Sequence, residues 1–126
     1  MKENEIATII VAVVIKVHKA LGPGLFESVY ESIVAHELAC NYGLNVERQV
    51  KVPVKWEGLK LDIGFRADMI VEKKVLIEFK TVDGLQNVHF KQVLTYLKLT
   101  GHKLGMLINF EESLIKQGIK RIVNGL

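Results

Sequence analysis

"VLIEFK", residues 75–80, places Val75, Ile77 and Phe79 on one face of a strand and Glu78 and Lys80 on the other. An acid and a base side by side in so apolar a stretch need a reason. The preceding residues supply one. "EKK" (72–74) reads as a turn, and 59–71 alternate, with Leu61, Ile63, Phe65, Ala67 and Met69 on one face and Asp62, Arg66 and Asp68 on the other. Pairing Val71 with Val75 across the turn puts Asp68 opposite Glu78 and Arg66 opposite Lys80. Like charges directly opposed across a ladder are unfavourable. A divalent cation between the two acids converts repulsion into coordination, and carboxylate oxygens suit Mg²⁺ or Mn²⁺. The competing reading is a solvated face on which Lys80 or Arg66 pairs with both acids.

Outward from this hairpin, Val50, Val52, Val54 and Trp56 alternate with Gln49, Lys51, Pro53 and Lys55. Pro53 cannot donate to a ladder, which predicts an open edge, and Glu57-Gly58 makes the next tight turn. Helical spacing over 4–21 and again over Leu25–Tyr42 precedes the strands, with "LGPG" (21–24) between them. After Asp83-Gly84 a helix is predicted over 86–99, stopped by Gly101, and "LGMLI" (104–108) reads as a buried strand. The tail 113–126 suits a helix or an edge strand. A three-strand meander followed by a helical crossover implies a mixed sheet flanked by helices.

A chain of 126 residues, 49% apolar and 25% charged with 2 prolines, has the composition of one globular domain spanning 1–126. Its single cysteine, Cys40, excludes an internal disulfide and fits a cytoplasmic location. Ile6–Ile15 is too short to span a bilayer, and Lys16, His18 and Lys19 close it. No membrane association is expected. The net charge of +3 is mildly basic and agrees with an anionic partner.

Asp68 followed by Glu78-Phe79-Lys80, on adjacent strands of an α-β-β-β-α-β core, resembles the signature of the PD-(D/E)XK nuclease superfamily. "GLFESVY" (24–30) is similar to the motif of the GxxExxY proteins within it, with Gly24, Glu27 and Tyr30 in register. "ERQV" (47–50), "FRADMIV" (65–71), "LTYLKLTG" (94–101) and "LINF" (107–110) look similar too. The resemblance implies a restriction-endonuclease-like fold with a mixed four-stranded sheet and an additional N-terminal helix. It implies Asp68 and Glu78 as metal ligands, Glu27 as an accessory acid and metal ligand, and Lys80 as the catalytic lysine. Gln92 and Tyr96, one helical turn apart, match a Q-x-x-x-Y element that positions substrate. Ala67 stands where the superfamily name has proline.

The implied activity is Mg²⁺- or Mn²⁺-dependent hydrolysis of phosphodiester bonds in nucleic acid, with DNA the expected substrate. The alternatives are a non-catalytic nucleic-acid-binding module and a protein-interaction module on the same fold. So small a chain leaves target recognition to a homodimer or a protein partner. Tyr30 reads as core packing with a satisfied hydroxyl, His18 as a buried histidine bonded to backbone, and Cys40 as a small buried residue beside His36. Glu31, one turn beyond Glu27, reads as an ordinary acid with no part in the site.

Overall fold

The computed structural model describes residues 1–126. Helix α1 (Glu3–Leu21) and helix α2 (Glu27–Tyr42) precede strands β1 (Val46–Trp56), β2 (Leu59–Val71) and β3 (Val75–Lys80). Helix α3 (Asn87–Thr100) then crosses over to β4 (Leu104–Asn109), and a 3₁₀ turn (Ile115–Gly118) leads into β5 (Ile119–Val123). The sheet order is β1-β2-β3-β4-β5, antiparallel except for the parallel β3–β4 pair that the crossover requires. The sheet therefore has five strands, not four. The tail resolves as an edge strand because "IKRIV" pairs with β4 and satisfies its outer backbone groups.

Two apolar layers cover the sheet. Ile6, Ile10, Val13, Val14 and Val17 of α1 pack with Tyr30, Val34 and Leu38 of α2 against Met69, Val71, Ile77 and Phe79. On the opposite face Val93 and Leu97 of α3 pack against Ala67, Ile70, Leu76 and Leu107. Each fully buried aliphatic or aromatic side chain contributes about 1.5–3 kcal/mol relative to exposure. No helix is long and apolar enough to cross a membrane.

The predicted single face for Leu61 through Met69 is broken. Ala67 joins the α3 layer while Met69 joins the α1–α2 layer, so β2 changes face at Asp68. β1 bends at the same level: Gln49, opposite Asp68, has φ 50, a left-handed conformation uncommon for a residue with a side chain. β1 is the edge strand that Pro53 predicts, and its register with β2 shifts between Val52 and Val54. Gly64 makes that shift possible, since a Cβ there would lie 1.9 Å from Val54 Cγ2.

Candidate active site

The β2–β3 ladder has the predicted register, Val71 with Val75, Ile70 with Leu76 and Met69 with Ile77, and it ends there. At the next level the two carboxylates replace main-chain acceptors. The Asp68 amide donates to Glu78 Oε1 at 3.2 Å, and the Phe79 amide donates to Asp68 Oδ2 at 2.9 Å. Each acid thus caps the strand opposite its own, and the strands part beyond them. Glu78 Oε2 accepts no hydrogen bond, and Asp68 Oδ1 has only the Gln49 amide at 3.5 Å.

Glu78 is 4% exposed. Burial, and then the charge of Asp68, push its carboxyl up to about 9, while Lys80 pulls in the other direction. Lys80 is half-buried and forms no ion pair, and neither does Arg66. The solvated-face reading, in which one of these cations neutralises both acids, is therefore absent from this geometry.

Across the α3 layer, Gln92 Nε2 donates to the Tyr96 hydroxyl at 2.8 Å, and Tyr96 stacks on Phe65 with ring centroids 3.7 Å apart. Burial, followed by the negative charge of Glu78, raises the Tyr96 phenol above its ordinary value. Gln92 and Tyr96 are therefore joined to each other within electrostatic reach of the acid pair. Glu27 is exposed at the start of α2, and its Oε2 accepts from Thr81 Oγ1 at 3.4 Å. It stands beside the residue that follows Lys80 and bonds to neither Asp68 nor Glu78. No group of three or more His, Cys, Asp or Glu is arranged to hold a metal ion.

Three residues that the sequence reading left without a role are tied to this region. Glu31 is not an ordinary helix acid. It is 5% exposed, ion-paired with Arg48 at 2.8 Å, and its Oε1 accepts from Gln49 Nε2 at 2.7 Å. Gln49, its partner, is the second, and the third is Asn109, fully buried at the end of β4, whose side chain accepts from Val82 N and donates to Val82 O. It pins the chain that leaves β3 just after Lys80. Glu31 lies four residues from Glu27 and so on the same helical face, which was the available signal. Gln49 lies within "ERQV", where no single residue stood out.

His18 and Tyr30 resolve as packing. His18 Nε2 meets the Glu112 carbonyl at 2.8 Å, and Tyr30 is fully buried, stacked on Phe110 at 4.1 Å, with its hydroxyl bonded to Gly22 O. His89 Nδ1 accepts from the Gln86 amide and caps α3. Cys40 is exposed, not buried, and its sulfur lies 3.6 Å from His36 Nδ1.

The crystal structure of SSO0001 is similar to this fold, with a TM-score of 0.59 and 26% identity over 79% of the chain. The chain spans 50% of the length of that protein. No curated protein matches the sequence. The profile of the PD-(D/E)XK nuclease superfamily matches residues 4–122. The fold is restriction-endonuclease-like, and with a match running almost end to end the chain belongs to the PD-(D/E)XK nuclease superfamily.

Proposed function

We propose that this chain is a metal-dependent nuclease that hydrolyses phosphodiester bonds in DNA, and that within its superfamily it is one of the GxxExxY proteins. Gly24, Glu27 and Tyr30 hold that spacing, and residues 1–126 act in this reading as a single nuclease domain. The observation that carries the reading is a pair of interlocked acids, each with one oxygen outside the bonds that join the strands, beside a lysine with no ion-pair partner.

The donor set fits a hard divalent cation. Glu78, pushed up by burial and then by the charge of Asp68, would be compatible with an ionised Asp68 if a dication were held by the two. Mg²⁺ takes one or two carboxylates and keeps several waters, so a third protein ligand is not required. When bound, Mg²⁺ or Mn²⁺ supplies Lewis-acid polarisation of a phosphate oxygen and an acidified water. Asp68 and Glu78 would hold it. Lys80 offsets charge on the phosphate and orients the attacking water. Gln92 and Tyr96 offer neutral hydrogen bonds that position phosphate or water, and Glu27 is the accessory acid approaching from α2.

The test is a panel of single- and double-stranded DNA and RNA incubated with Mg²⁺, Mn²⁺ or EDTA. Cleavage of DNA that needs the cation and is lost in Asp68→Asn supports the reading. Binding without cleavage under every condition overturns it in favour of a non-catalytic module.

A further inference from the structure

β3 pairs with only three residues of β2, Met69–Val71. From Leu59 to Asp68, β2 has β1 as its sole neighbour, so β1 and β2 leave the sheet as a two-stranded ribbon beginning at the acid pair. Within this ribbon Lys51 pairs with Arg66 and Lys55 pairs with Lys60. Each is a like-charge pair at direct cross-strand distance, which opposes folding. No carboxylate relieves them, because the ion pairs of the chain are Lys16–Glu37 and Arg48–Glu31. All four cations are exposed. The two pairs lie on either side of the register shift between Val52 and Val54, so the ribbon carries opposed cations both near Asp68 and near its tip.

We propose that this ribbon docks double-stranded DNA, with Lys51, Arg66, Lys55 and Lys60 set against its phosphates. Opposed cation pairs along a ribbon are complementary to a polyanion and to little else, and a two-stranded ribbon fits the B-form major groove. The deep, narrow major groove of duplex RNA does not admit it. The identity of the polyanion rests on the nuclease reading. The ribbon's other face carries Trp56, Leu59 and Leu61, exposed and apolar, and a second copy of the chain is the competing occupant.

Trp56, the single tryptophan, is 68% exposed at the ribbon tip and reports docking by its fluorescence. Titrating the full chain in EDTA with a short DNA duplex is expected to change Trp56 emission. Lys55→Gln/Lys60→Gln should keep native thermal stability and flatten the slope of log affinity against log salt by about 2. Lys73→Gln/Lys103→Gln, at the far end of the sheet, removes equal charge and should leave the slope unchanged. Lys51→Gln/Arg66→Gln repeats the test nearer the acids.

A slope shared by the native chain and both ribbon variants overturns the proposal, and so does equal binding of duplex RNA through the same lysines. A native dimer that Trp56→Ser splits, with DNA affinity untouched, gives the ribbon to a second copy and overturns it as well. Cleavage plays no part in these readouts. Duplex binding through the ribbon without metal-dependent hydrolysis would remove the nuclease reading and leave the ribbon assignment standing.

Discussion

Glu31 fixes which way the Gln49 amide faces. A carboxylate accepts only, so the amide must present its nitrogen to Glu31 Oε1, at 2.7 Å, and the same nitrogen lies 3.5 Å from Asp68 Oδ1. The oxygen of Asp68 not used by the Phe79 amide is thereby approached by one oriented donor. Glu31→Gln lets the amide turn over. It is expected to weaken cation affinity about tenfold, the lower end for loss of a supporting group, in a calorimetric Mn²⁺ titration. The same loss in Gln49→Asn, which tolerates the left-handed backbone but is too short to bridge, would place the effect on this path. Unchanged affinity in both variants would make the contact purely structural.

Glu78 predicts an unusual pH dependence. Its folded pKa, about 9, lies above the unfolded value near 4.5, so the folded chain holds a proton that the unfolded chain has lost. Stability from this group is full below about pH 4.5 and declines as pH rises toward 9. In EDTA the melting temperature should fall between pH 5 and pH 9. Glu78→Gln should flatten that dependence, and the stabilisation given by added Mn²⁺ should grow with pH because cation replaces proton. A melting temperature that rises over this range in EDTA would contradict the assignment.

Lys80→Ala separates chemistry from binding. The ammonium is near enough to Glu78 to oppose its pKa shift, yet it is paired with nothing. Its loss should reduce kcat by at least about 100-fold, the scale of removing one group that stabilises developing charge. KM for DNA should change little, since in the proposed docking the ribbon cations would carry the phosphate contacts. A parallel fall in affinity and turnover would make it a binding residue.

Glu27→Gln tests the accessory acid. Glu27 is exposed with one long hydrogen bond to Thr81, so stability should change by less than about 0.5 kcal/mol. Cation-dependent cleavage should nevertheless fall by roughly 10–100-fold, the range for outer partners of a metal site. Native kinetics in this variant would leave Glu27 as a surface acid.

The hairpin was legible because a short turn and apolar alternation favour the register Val71 with Val75, and side-chain to main-chain bonds join Asp68 to Glu78 and Phe79 just beyond the end of that ladder. The face change at Asp68 was not legible. Alternation over Leu61–Met69 reads straight through it, and nothing about glutamine announces a positive φ at Gln49. Glu31 was missed for a related reason. An acid on a helix reads as solvated until the strand that carries its partners is known to bend toward it. The tail was ambiguous because a lysine and an arginine interrupt its isoleucines, and only the open edge of β4 decides between helix and strand.

Asn109 sews Val82 to β4, the strand with neighbours on both sides, whereas the ribbon leaves the sheet with solvent along both edges. The two walls of the site therefore differ in stiffness. The wall bearing Lys80 and Thr81 is fixed to the centre of the molecule, whereas the opposite wall is held to α3 by Ala67 and the Phe65–Tyr96 stack and is exposed beyond Phe65. Amide protons of the ribbon should exchange early, while the Val82 amide should persist close to the limit of global unfolding. In the proposed nuclease a thick substrate would meet one fixed jaw, on which the lysine keeps its aim, and an arm that can yield only toward its tip.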